Sequence, residues 1–123
     1  MIVDCAAYTK GRRQPGTLDL DDALETGRQD DDTFVWVGLH DPTPDEFDSV
    51  AKEFELHPLA VEDAIHAHQR PKLELYDDML FLVVKTARYD DDREAIEFAE
   101  VQMLAGKGFL VTVRHGDACE LTS

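Results

Sequence analysis

Residues 56–72 hold the densest set of side chains able to do chemistry: Leu56-His57-Pro58-Leu59-Ala60-Val61-Glu62-Asp63-Ala64-Ile65-His66-Ala67-His68-Gln69-Arg70-Pro71-Lys72. Read as a helix from Pro58, at about 100° per residue, the segment puts Val61, Ala64 and Ile65 on one side. Glu62, Asp63 and His66 fall on the other. Side chains three or four apart are helix neighbours, so two carboxylates and an imidazole share a face. Carboxylate oxygens are hard ligands suited to Mg2+ or Ca2+, and a nearby imidazole favours a transition metal. Asp63 and Glu62 are therefore the candidate metal ligands and His66 a secondary one. The same pattern also describes the solvated side of an amphipathic helix, and on the residues alone both readings stand.

A catalytic use of these groups has less support. His57, Asp63, His66 and His68 would have to form an acid–base or metal-hydrolase cluster. The chain contains no His-Glu-x-x-His and no Gly-x-Ser-x-Gly. No spacing matches a structural zinc site. Gly106-Lys107-Gly108 has a strand pattern on each side, so it reads as a hairpin turn and not as a phosphate loop. No catalytic residue is assigned, and the chain reads as a non-enzyme. The acidic runs at residues 30–32 and 90–92 lack EF-hand spacing and read as solubilising charge.

Composition narrows the class of partner. The chain has 123 residues, the size of one domain, with 27 acidic against 12 basic residues and a net charge of −15. Like charge argues against nucleic acid and against an anionic membrane surface, and favours cations. The longest strongly apolar run, residues 79–84, is far below the ~20 residues of a membrane span. Asp4 interrupts the apolar start, so nothing there reads as a signal peptide. Cys5 and Cys119, at opposite ends, fit a reducing compartment or two small buried side chains. The basic patch at residues 10–13 is too short for a nucleic-acid footprint.

The elements that must position residues 56–72 are legible on either side. Residues 1–8 suggest a strand, residues 18–26 a short helix ending at Gly27, and residues 33–39 a buried strand with Trp36 in the core. Thr43, Pro44 and Glu46 form a helix start with a capping box. Phe47, Val50, Ala51 and Phe54 then make one apolar stripe. The residue before a proline avoids helical geometry, so His57-Pro58 separates this helix from a second one reaching about residue 68. Beyond Arg70-Pro71 the period becomes two, with strands at 73–76, 79–89, 96–104 and 109–114 joined by short turns. That is an antiparallel meander, and the whole is an α+β domain with helices packed on a largely antiparallel sheet. One helical layer is encoded, and the other face of the sheet is expected to be thinly covered.

His57-Pro58-Leu59, Glu62-Asp63 and His68-Gln69-Arg70-Pro71-Lys72 together closely resemble the N-terminal domain of CorA-type magnesium/cobalt transporters. Residues 33–40 and 81–86 resemble the strands that flank this segment in the family. The resemblance implies an α/β/α layered domain, five copies of which form a cytoplasmic funnel, a homopentamer. It also implies a stalk helix and two membrane helices carrying a Gly-Met-Asn motif. Mg2+, or Co2+, bound between neighbouring copies would hold the pore closed. The sensor aspartate maps onto Asp63 and a second-site glutamate onto Glu62. The present sequence has no Gly-Met-Asn and ends at Ser123. Residues 1–123 are thus expected to be one regulatory domain at the cytoplasmic face of a membrane protein, with a truncated second helical layer and half of a metal site. A zinc-exporting relative shares the fold, so the resemblance leaves ion selectivity open.

Overall fold

The structure, a computed structural model, describes residues 1–16, 18–64 and 70–115. Its strands are β1 (Ile2–Thr9), β2 (Arg12–Arg13), β3 (Thr33–His40), β4 (Lys72–Tyr76), β5 (Met79–Asp90), β6 (Ala95–Gly106) and β7 (Phe109–His115). Its helices are α1 (Ala23–Gly27), α2 (Pro44–Glu53) and α3 (Pro58–Ala64). The strands make one sheet in the order β2-β1-β3-β7-β6-β5-β4. The predicted meander is its β4-β5-β6-β7 half, antiparallel throughout, with Leu73 opposite Leu82 and Gln102 opposite Val113.

The junction of the two halves is parallel: Val35 pairs with Phe109 and Val37 with Val111 along β3 and β7. Hydrophobic alternation does not report strand direction. The near-continuous apolar run Thr33-Phe34-Val35-Trp36-Val37-Gly38-Leu39 is nonetheless the composition expected of a strand in the middle of a parallel pair.

The helices cover one face. Val35, Val37, Leu39, Phe81, Val83, Leu104, Val111 and Val113 share a core with Phe47, Val50, Phe54, Ala60 and Ala64. α2 is built as its sequence dictates. Thr43 Oγ1 accepts from the Glu46 amide at 3.2 Å, and Glu46 Oε1 accepts from the Thr43 amide at 2.9 Å. Phe54 ends the helix and stacks on Phe109 with ring centroids 4.8 Å apart.

Two expectations are corrected. The helix expected over residues 18–26 is a 3-10 turn, Leu20–Asp22, followed by the five-residue α1. Neither N-cap aspartate closes on its helix through its side chain, and α1 stops where Gly27 meets the β6–β7 turn. A Cβ there would stand 2.1 Å from the Gly108 carbonyl oxygen. Second, Trp36 is outside the helix-side core. It lies half-buried on the opposite face, where its indole N–H donates to Thr112 Oγ1 at 2.9 Å. The basic patch at residues 10–13 includes the edge strand β2, and Arg13 grips Asp4 with two 2.7 Å bonds. The Arg13 hydrogen bonds hold the Asp4 carboxyl below its ordinary range.

The face away from the helices carries bare leucines, with Leu73 63% and Leu75 72% exposed. This follows from register: Lys72, Glu74 and Tyr76 pair with Val83, Phe81 and Met79 and share their helix-side face, which turns Leu73 and Leu75 outward. Cys5 is half-buried, and burial pushes its thiol pKa up. Cys119 lies outside the described residues. Among the described residues no helix is long and apolar enough to cross a membrane.

Candidate metal site

α3 parts the two carboxylates that the sequence places side by side. Neighbouring helix positions point in different directions. Glu62 is exposed, whereas Asp63 turns toward β4 with its side chain 33% accessible. Asp63 Oδ2 accepts from Lys72 Nζ at 3.2 Å and from the Tyr76 hydroxyl at 2.5 Å. Lys72 Nζ also lies 3.4 Å from Glu74 Oε1, and the Tyr76 hydroxyl hydrogen-bonds to Glu74 Oε2. The strand period makes this possible, since Lys72, Glu74 and Tyr76 are alternate residues on the side of β4 that α3 covers.

Tyr76 is fixed from both sides. Its ring stacks on His57 at 5.3 Å and meets the edge of Phe81 at 6.4 Å. Hydrogen bonds to Asp63 and then Glu74 push the phenol pKa well above its usual range, so the hydroxyl stays a donor. Burial works to lower the Lys72 pKa, but the Asp63 and Glu74 carboxylates outweigh it and the net shift is upward. Among the described residues the cluster brings together the carboxylates of Asp63 and Glu74, the Lys72 ammonium and the Tyr76 phenol.

His57 belongs to the frame of the site. Its Nδ1 accepts from the Leu59 amide at 3.1 Å, which caps the start of α3, and its Nε2 lies 3.6 Å from Asp77. The hydrolase arrangement would need this imidazole beside Asp63; instead the Tyr76 ring covers it while the Tyr76 hydroxyl reaches Asp63. His66 and His68 lie outside the described residues. The acidic turns serve themselves: Asp30 accepts from the Asp32 amide at 2.9 Å, and Asp90 from the Asp92 amide at 3.0 Å.

The donor chemistry suits a hard divalent cation, because Asp63 and Glu74 offer carboxylate oxygens around one phenol. Among the described residues no group of three or more His, Cys, Asp or Glu gathers around a common point. Glu74 and Tyr76 went unassigned in the sequence, where they read only as strand. Their signal was the inverted alternation at residues 72–76, with polar residues set inward and leucines outward. Two further polar groups sit elsewhere. Asp41 lies 3.2 Å from His40 and 3.7 Å from His115 at the ends of β3 and β7. The buried Glu100 pairs with Lys85 at 2.8 Å and accepts from Gln102 at 2.9 Å.

Residues 31–122 match the family described as CorA-like Mg2+ transporter protein. The chain belongs to that family. This CorA-family chain is 32% identical over 98 residues to the cobalt/magnesium transport protein CorA of Thermotoga maritima, covering 77% of this chain and 27% of the relative. It is 35% identical over 89 residues to the putative metal ion transporter YfjQ of Bacillus subtilis, covering 72% and 27%. The chain thus spans about a quarter of the length of these curated relatives, 27% of each. Its fold is that of the soluble domain of CorA from Methanocaldococcus jannaschii, with a TM-score of 0.65 at 15% identity, over 95% of this chain and 42% of that one. The resemblance carried by residues 56–72 is thereby established, and the α+β class with it.

Proposed function

We propose that this CorA-family chain is the cytoplasmic Mg2+-sensing and regulatory domain of a transporter of Mg2+ or Co2+. In this reading it has no catalytic role. Copies assemble around a shared axis, and divalent cations between them favour the closed pore. The observation that carries the reading is how Asp63 is held: among its partners is the ammonium of Lys72, the tip of a flexible side chain able to move away, beside the fixed phenol of Tyr76. A carboxylate held in this way can change partners, as a sensor must.

Charge supports the same reading. Bringing together copies that each carry −15 costs electrostatic energy. A divalent cation bound between copies offsets that cost and shifts the population toward the assembled state. Mg2+ gives up its waters reluctantly, so contact with Asp63 is expected through water in part. Glu62, exposed at the adjacent helix position, would in this reading meet a neighbouring copy.

The test is cation flux through the transporter that carries this domain, wild type against Asp63→Asn, across a range of cytosolic Mg2+. The variant is expected to keep conducting at Mg2+ concentrations that close the wild type. Identical Mg2+ sensitivity would remove Asp63 from the sensor.

A further inference from the structure

We propose that Lys72 is the resident counter-ion of Asp63, and that a divalent cation enters the site by exchange with its ammonium. Lys72 then sets the cation concentration at which the site fills. This rests on the reading of Asp63 as a cation-binding carboxylate and adds the residue that regulates it.

The geometry is specific. The Lys72 ammonium lies 3.2 Å from Asp63 Oδ2 and 3.4 Å from Glu74 Oε1, so it bridges the two carboxylates. The phenol of Tyr76 touches both as well, but it has one proton and can donate to one of them at a time. Lys72, lying between the two, is within reach of whichever carboxylate the phenol leaves. His57 and Phe81 hold the Tyr76 ring in place, so Lys72 is the more movable of these two partners. From this same position its Nζ lies 5.4 Å from the centroid of the Phe81 ring, and the side chain is 28% accessible, so solvent can receive the ammonium once the carboxylate is taken.

Exchange of this kind discriminates by charge. A tethered ammonium acts at an effective concentration in the millimolar range. A monovalent ion brings no more charge than the ammonium it would displace and gains little. A divalent ion brings twice the charge to Asp63 and Glu74 and releases the Lys72 ammonium to solvent. The same lysine thus keeps the site closed to the monovalent background and tunes its threshold for divalent ions.

The experiment is an NMR titration with Mg2+ that follows two signals, the Asp63 amide and the side-chain 15Nζ of Lys72. It uses the wild type, Lys72→Met and Lys72→Arg. In the wild type both signals are expected to shift with one midpoint, a result that needs no substitution. Lys72→Met should lower the midpoint at Asp63 by about fivefold, equivalent to about 1 kcal/mol for a partly exposed pair. It should also let K+ compete measurably. Lys72→Arg, which keeps the charge, should stay within about twofold of the wild type. A saturating Asp63 response with an unmoved Lys72 signal, or with the same midpoint in Lys72→Met, would overturn the exchange and leave Asp63 as a cation site. The absence of a saturating Asp63 response in all three proteins would overturn both.

Discussion

Glu46 and Asp63 are carboxylates on neighbouring helices of one layer, and each faces a cation, yet they are held by different kinds of partner. Glu46 accepts from the Thr43 backbone amide and from the amino terminus of Met1, each at 2.9 Å, and closes the first turn of α2. Asp63 accepts from Lys72 and Tyr76, two side chains of a strand nine and thirteen residues further on. A backbone donor is fixed once the helix forms, whereas a lysine tip is not. The first carboxylate is part of the fold; under the proposed exchange the second changes partners.

The contrast is sharpest where α2 is anchored. Phe54 is 1% exposed and stacks on Phe109 beneath the sheet-side end of α2. Phe54→Ala is expected to cost about 3–5 kcal/mol in denaturant unfolding, the range for deleting a buried aromatic ring. A loss below about 1 kcal/mol would mean that the core under α2 can collapse around the gap, and that α2 is no more rigidly held than α3.

A smaller effect separates Glu46 by pH. The Thr43 amide and then the amino terminus lower its pKa from 4.5 to about 2. A carboxylate depressed in the folded state contributes stability that is present above its unfolded value and is lost as pH falls through its folded value. The stability gap between wild type and Glu46→Gln is therefore expected to be constant above pH 4.5 and to shrink as pH falls toward 2. Thermal unfolding at stepped pH reads this directly. A gap independent of pH across that window would show that the capping box works without the charge.

This division also explains what could be read from the chain. The Thr43-Pro44-x-Glu46 box and the Phe47, Val50, Ala51, Phe54 stripe are local signals, and α2 follows them. The short turns after β4, β5 and β6 are local too, and they yield the antiparallel meander. The parallel pairing of β3 with β7 joins residues more than seventy positions apart, and no turn or period encodes it. The site divides in the same way. Asp63 stood out by its residue type and neighbours on α3, but its partners lie across a chain reversal. Only the register of β4 against β5 decides that Lys72, Glu74 and Tyr76 face it. Trp36 was misplaced because β3 is apolar at nearly every position, on its open face as well as its buried one, and so gives no alternation from which to choose a face.

The most direct measurement is an amide-resolved NMR titration of this chain with Mg2+ at constant ionic strength, alongside Asp63→Asn. Saturating shifts centred on Asp63 and Glu62, absent in Asp63→Asn, are the expected result. Small, non-saturating shifts spread over residues 30–32 and 90–92, unchanged in Asp63→Asn, would be counter-ion screening of a −15 surface and would contradict a cation site at Asp63.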